Sequence, residues 1–324
     1  MELQSIGSPG AWLGFIAFVI AMLAIDLGIF HRKSHVVGTR EALVWSSVWV
    51  GLALFFNLLV WKLYGAERGL EFLTGYLIEK SLSVDNIFVF VVIFGALGIP
   101  ALYQHRVLFW GILSALVLRA AMIFAGTALL SKFHWLIYVF GAFLVLTGMK
   151  LFLQRQGSAD PNGGLVMRLA RRAIPSTDKL DGERFFTVEK GRRVATPLFM
   201  ALLLVEATDV VFAVDSIPAI FAVTSDPFIV FTSNIFAILG LRSLFFLLAG
   251  IVDKFRYLKT GLAAVLVFVG AKMALVDVYK LPPVVSLLVI ATLLGASIAA
   301  SLWVSRKAHA PPQLAEDPKP QTNG

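Results

Sequence analysis

Apolar residues run along this chain in blocks of roughly 20, separated by short clusters rich in Arg, Lys, Pro and Gly. A helix of that length covers the ~30 Å hydrocarbon core of a bilayer. Nine such blocks stand at about 11–30, 43–63, 71–97, 106–130, 135–153, 197–222, 228–251, 258–277 and 284–304. The pattern predicts an all-α, polytopic membrane protein with about nine transmembrane helices. The first block is followed, not preceded, by its basic cluster Arg32-Lys33, which marks a retained helix and not a signal peptide.

Against this background the informative positions are polar ones inside apolar blocks. The stretch from Val205 to Ala219 carries Glu206, Asp209 and Asp215 within one predicted span. Insertion scales charge about 2.5–3.5 kcal/mol for a single Asp at the centre of a spanning helix, so three together call for a compensating cation. Glu206 and Asp209 share a helical face, and Asp215 lies roughly 120° from Asp209 on a regular helix. Pro218 is placed to bend or break that helix and bring Asp215 round.

The same marks recur on both sides of the long polar segment 154–196. Ser83-Val84-Asp85-Asn86-Ile87 answers Ala213-Val214-Asp215-Ser216-Ile217, with Glu79 and Asp209 each six residues earlier. Leu118-Arg119 answers Leu241-Arg242, Lys132 to Leu136 answers Lys254 to Leu258, and Gly148-Met149-Lys150 answers Gly270-Ala271-Lys272. The Asp-to-Arg spacing is 34 residues in one copy and 27 in the other; aligning Asp85 with Asp209 equalises it but loses the preceding acid. Each copy holds three spans, so the second enters the membrane from the opposite side. Two inverted three-helix repeats are a transporter design, with an ion site near the midplane where the copies meet. The expected organisation is a transmembrane domain over 1–305, with repeat one at about 71–153, an internal loop at 154–196 and repeat two at about 197–277, then a disordered cytoplasmic tail over 306–324.

Composition narrows the class. At 58% hydrophobic and 15% charged, with a mean hydropathy of +0.83, the chain is far too apolar for a soluble domain of 324 residues. It has no cysteine, which excludes disulfides, thiolate metal sites and thiol redox chemistry. The net charge of +8 marks topology and not nucleic-acid binding. With the N-terminus outside, internal segments hold Arg32, Lys33, Arg40, Arg106, the nine basic residues from Arg155 to Arg193, Lys254, Arg256, Lys259, Arg306, Lys307 and Lys319. External segments hold only Lys62, Arg68, Lys132 and Lys280. This predicts a multi-pass inner (plasma) membrane protein with a cytoplasmic C-terminus. Leu165 to Arg172 forms a short basic amphipathic turn suited to resting on lipid headgroups, within what is otherwise a linker.

The intramembrane polar inventory is rich in oxygen. All five histidines lie in loops or the tail, whereas Glu79, Asp85, Asn86, Glu206, Asp209, Asp215 and Ser216 offer carboxylate, amide and hydroxyl oxygens to a hard divalent cation such as Mn²⁺, Mg²⁺ or Ca²⁺. Without metal, crowded acids in a low dielectric favour their protonated forms, so proton-coupled exchange is expected. Arg119 and Arg242 are candidates for gating or charge balance, or else snorkel to orient their helices. Asp26 and Asn234 are candidates for lining the path or sealing helix contacts, and Asn86 and Ser216 can equally serve as polar bonds between helices.

Four motifs, Asp26-Leu27-Gly28-Ile29-Phe30, Glu79 to Asn86, Glu206 to Ala219 and Ser233 to Phe246, resemble the TerC family of integral membrane proteins, named for tellurium resistance. The resemblance covers nearly all of 11–305. It implies that Glu79, Asp85, Asp209 and Asp215 form an ion site, with Glu206 and Asn86 added by proximity. It also implies kinship with lysine-exporter-like proteins, several family members being associated with Mn²⁺ efflux and others with tellurite resistance. The expected activity is therefore a secondary exporter of divalent cations, Mn²⁺ foremost, and not an enzyme. It has no permanently bound cofactor, the metal ion is its substrate, membrane lipids surround it, nucleic acid has no role, and a homo-oligomer is compatible. The alternatives are an Mg²⁺-dependent intramembrane enzyme on a lipid diphosphate, using Arg119, Arg242 and Lys80 on the phosphates, or a tellurite-resistance or membrane-biogenesis factor.

Overall fold

The computed structural model describes residues 5–30, 37–133, 135–153, 172, 174–189, 191–249, 257–275, 277–278 and 281–308; the side chains of 26–30, 85, 88, 131, 215, 258–259 and 305–308 lie outside the described set. Helices stand at all nine predicted blocks: α1 (Pro9–Phe30), α2 (Thr39–Tyr64), α3 (Ala66–Ala96), α4 (Ala101–Lys132), α5 (Leu136–Leu153), α6 (Pro197–Phe221), the pair α7 (Pro227–Leu239) and α8 (Leu241–Leu248), α9 (Leu258–Ala274) and α10 (Pro283–Ala308). Among the described residues, α2, α4, α5, α6 and α10 are long and apolar enough to cross a membrane, and α7 joined to α8 makes a sixth candidate, bent by 41°. The described apolar parts of α1 and α9 are shorter. In α3 the charges of Glu67, Arg68, Glu71, Glu79, Lys80 and Asp85 interrupt an otherwise apolar helix.

Contacts fix the chain directions. Along α4 and α6, Gly111 lies beside Val205, Arg119 meets Asp209 and Gly126 lies beside Phe221, so the two helices run parallel. Gly75 beside Ser233, Glu79 with Asn234 and Lys80 with Ala237 make α3 and α7 parallel as well. In contrast α5 and α9 are antiparallel and cross at glycines. A Cβ on Gly270 would stand 2.6 Å from the Gly141 carbonyl oxygen, and one on Gly148 would stand 2.8 Å from that of Ala263. Only glycine lets the two backbones approach so closely, the usual way helices pack where no hydrophobic effect drives them together.

Helix ends follow local chemistry. Asp226 caps α7, its Oδ1 accepting from the backbone N–H groups of Phe228 (2.8 Å) and Ile229 (3.3 Å), with Pro227 at the first helical position. Its Oδ2 accepts from the N–H of Ile6 at 2.7 Å, tying the start of the described chain to α7. Beyond that tie, Trp12 and Phe15 of α1 pack their rings on Phe228 and Phe231 of α7. At the other end of α7, Gly240 leaves room for Trp49 and for the Lys80 ammonium, which donates to the Ala237 carbonyl at 3.3 Å. A cation on the freed carbonyls at a helix C-terminus is favourable, and it holds the break between α7 and α8. No such break occurs in α6, which runs through Pro218 to Phe221, contrary to the sequence expectation. The proline falls in the last turn, where few intrahelical bonds remain to be lost.

The segment expected to be only a linker contains a small folded unit. β1 (Phe186–Glu189) and β2 (Arg192–Ala195) form an antiparallel hairpin, with Phe186 opposite Ala195 and Glu189 opposite Arg192. Gly191 at φ +75° makes its turn, a conformation that suits glycine. Phe186 packs on Phe199 of α6, and Arg106 of α4 lies over the Phe185 ring and bonds Glu183 at 3.2 Å. The signal was present as alternation in Phe-Thr-Val-Glu before a Gly-containing turn. The amphipathic turn from Leu165, apart from Arg172, and the tail after Ala308 lie outside the described residues.

Candidate functional site

Where α3, α4, α6 and α7 meet, five polar side chains converge. Glu79 (α3), Arg119 (α4), Asp209 and Ser216 (α6) and Asn234 (α7) are all buried, Glu79, Ser216 and Asn234 completely. Arg119 is the centre. Its Nη1 donates to Glu79 Oε1, and its Nη2 donates to Asp209 Oδ1 at 2.9 Å. Longer contacts run from Nε to Asp209 Oδ2 (3.4 Å) and from Nη1 to Asn234 Oδ1 (3.4 Å) and Ser216 Oγ (3.5 Å). Asn234 Nδ2 closes the ring by donating to Glu79 Oε2 at 3.1 Å.

The local sequence builds this arrangement. Asp209 and Ser216 are seven residues apart and so share one stripe of α6. Glu79, Ser83 and Asn86 do the same on α3. Small residues bring the helices close enough for short side chains to meet: a Cβ on Gly75 would be 3.0 Å from Ser233 Oγ, and one on Gly126 would be 2.9 Å from Phe221. Arginine suits the centre because its planar fork satisfies two carboxylates at once and stays charged at any relevant pH. The assembly is a cage of oxygens from Glu79, Asp209, Ser216 and Asn234 around one positive charge.

Of the residues the sequence nominated, Glu79, Asp209 and Ser216 are brought together, and Arg119 joins them as a charge-balancing group and not by snorkelling to an interface. Asn234, expected to be a lone polar group, is part of the same cluster. Glu206 stands apart. It is half-buried one turn earlier on α6 and accepts from Ser114 of α4, a partner that sequence reasoning missed. Asn86 is buried, and its Oδ1 has no hydrogen-bond partner among the described residues; the same holds for the buried Ser83 Oγ one turn before it. Arg242 is buried on α8, beyond the break, on a helix that packs against α2. The backbones of Asp26, Asp85 and Asp215 are helical, and their side chains lie outside the described residues. Among the described residues no three acidic or histidine side chains converge as a metal-ligand group; the two acids that meet do so through Arg119.

With this geometry in view, the chain was compared with known proteins. Residues 64–309 match the family model described as "Integral membrane protein TerC family". The chain is 73% identical over 315 residues to "Uncharacterized membrane protein STKORF319" of Myxococcus xanthus, covering 97% of this chain and 98% of the relative. It is 47% identical over 312 residues to "Putative membrane-bound redox modulator Alx" of Escherichia coli strain K12, covering 94% and 97%. A Rickettsia felis "Uncharacterized membrane protein" is 44% identical over 292 residues, covering 90% and 97%. No solved structure matches. The membrane helices, the acid-bearing motifs on α3 and α6 and the matched length agree: this chain belongs to the TerC family of integral membrane proteins.

Proposed function

We propose that this protein is a secondary transporter that exports divalent metal cations from the cytoplasm, with Mn²⁺ the first candidate. The observation that carries the reading is the buried cage itself: oxygen-bearing side chains from α3, α6 and α7 surround one cationic group, contributed by α4, inside a bundle of apolar helices. Polar and ionised groups in such surroundings are costly, and a pathway for ions accounts for that cost. The unpaired oxygens of Ser83 and Asn86 beside the cage add to it, since buried acceptors without partners suit a ligand that strips its own water. Hard oxygens favour Mn²⁺ or Mg²⁺ over softer metals.

The inverted-repeat reading has support in the packing. The contact of Gly148 with Ala263 and Val267 becomes that of Gly270 with Gly141 and Val145 when each residue is replaced by its counterpart in the other copy. The parallel pairs α3–α7 and α4–α6 likewise exchange with one another. Such symmetry suits alternating access about a central site.

The rival reading, an enzyme gripping a lipid diphosphate, loses two of its three cations, because Arg119 is held by two acids and Lys80 by the end of α7. The name of the Escherichia coli relative speaks of redox modulation; this chain, without cysteine, has no thiol to exchange. The test is manganese content in cells under excess Mn²⁺ expressing wild type, Asp209→Asn, Asp85→Ala or Asp215→Ala. Lower manganese in wild-type cells than in all three variants is expected, and equal content in all four sinks the transporter reading.

A further inference from the structure

We propose that Arg119 is the site's own counter-cation: it occupies the cation position between Glu79 and Asp209 in the cargo-free protein and is displaced when a divalent ion binds. This rests on the transport reading above and adds to it the way the empty carrier is neutralised.

Two carboxylates buried side by side among apolar helices cannot both stay ionised without positive charge between them. The Arg119 guanidinium supplies that charge, held to Glu79 through Nη1 and to Asp209 through Nη2, and every other polar group of the cage, Ser216 and Asn234, offers it an oxygen. Those are the same atoms a divalent ion would need, so guanidinium and cargo exclude each other. The structure also offers the displaced arginine a landing place. Long side chains on a helix point back toward its N-terminus, and α4 runs parallel to α6. Glu206 lies one turn before Asp209, about 5 Å along the helix, on the side of α6 that meets α4 at Ser114. Exchanging Asp209 for Glu206 is a one-turn swing that keeps the arginine paired while it opens the cage.

The consequence concerns the return step. A carrier whose cage is empty and uncompensated cannot easily reorient across the membrane, whereas one whose cage is filled by a tethered cation can. Removing Arg119 should therefore tighten cargo binding, because a competitor is gone, and slow net transport, because the empty form is stranded. Exchange of cargo for cargo never visits the empty form and should survive.

The full chain, reconstituted in liposomes, is assayed with Mn²⁺ in three ways: equilibrium binding, net efflux from loaded vesicles, and exchange with Mn²⁺ present on both sides. For Arg119→Gln the expectation is binding about tenfold tighter or more, net efflux reduced by a similar factor and exchange near wild type, as follows from removing an intrinsic competitor. Arg119→Lys, which keeps a tethered charge without the fork, should bind Mn²⁺ roughly several-fold tighter than wild type and retain more net efflux than Arg119→Gln. Glu206→Gln should weaken binding in the wild-type background and leave it unchanged in Arg119→Gln. The proposal is overturned if Arg119→Gln binds Mn²⁺ no more tightly than wild type, or if its exchange and net efflux fall together. Should Arg119→Gln not fold, unchanged or weaker binding by Arg119→Lys overturns it equally. A wild-type protein that neither binds nor moves Mn²⁺ refutes the transport reading itself, and that outcome is read from a separate arm.

Discussion

The second helix of each repeated unit carries a Leu-Arg pair in the sequence, yet the two pairs end in different places. Helix α4 is continuous, and it delivers Arg119 into the acids of α3 and α6. Its counterpart stops at Gly240, turns by 41° and resumes as α8, so that Arg242 follows the break. From that side Glu79 is met by Asn234, a neutral amide shorter in reach than arginine, which donates to it at 3.1 Å. At the break a Cβ on Gly240 would meet Lys80 Nζ at 2.8 Å and Trp49 Cβ at 3.1 Å, and Lys80 donates to the Ala237 carbonyl, so glycine is what the close approach allows there. The two repeated motifs thus contribute one acid each, Glu79 and Asp209, while among the described residues a single cation, Arg119, lies between them.

Substitutions distinguish what the two halves share from what they do not. The largest effect belongs to the part of the molecule where the two copies behave alike. Gly148→Leu and Gly270→Leu each drive a side chain into the partner backbone, and both should abolish folded protein to the same degree by size-exclusion chromatography in detergent. Gly295→Leu on α10, with nothing within 4 Å of its Cβ position, should elute as wild type. A marked inequality between Gly148 and Gly270 would show the packing to be less symmetric than its contacts.

Next come the residues where the copies differ. Arg119→Leu strands Glu79 and Asp209 and should cost about 3–5 kcal/mol, the range for removing one partner of a buried ion pair. Asn234→Leu removes one amide and should cost only about 1–3 kcal/mol. Thermal melting of the two variants side by side measures the gap, and equal melting points would mean that the charge difference between the halves has no energetic weight. A smaller shift is expected for Gly240→Ala. Its Cβ would meet Lys80 Nζ at 2.8 Å and Trp49 Cβ at 3.1 Å, so Lys80 must leave the Ala237 carbonyl. A loss of about 1 kcal/mol is expected, with slower manganese flux if the break positions Asn234. Smallest of all, Ser114→Ala removes a hydroxyl donor from half-buried Glu206 and should lower stability by about 0.5 kcal/mol while leaving the Arg119 cluster in place.

Much of this was legible beforehand. The helix positions followed from the apolar blocks, and the repeat singled out Glu79 and Asp209 as counterparts that would meet. The reading went astray where neighbours decide. Glu206 and Asp209 share a helical face, so sequence spacing grouped them, but that face spans two contacts: Asp209 looks into the cage and Glu206 toward Ser114. Pro218 suggested a broken α6, whereas the break is in α7, where Gly240 faces Lys80. Asn234 carried no spacing signal linking it to Glu79, because the two belong to different copies and meet only after the bundle assembles. The hairpin at 186–195 left only a four-residue alternation, Phe186 to Glu189, as its signal.

The amino-acid sequence alone carried the membrane character of this chain, the order of its helices and the recurrence of an acidic motif in α3 and α6. Those properties depend on the transfer free energy of each segment, which composition and spacing already contain. Only the tertiary structure decided which cation lies between the acids, which acid was left to a hydroxyl, and where a helix had to stop. Such outcomes depend on which side chains, far apart along the chain, compete for one small volume from which water is excluded.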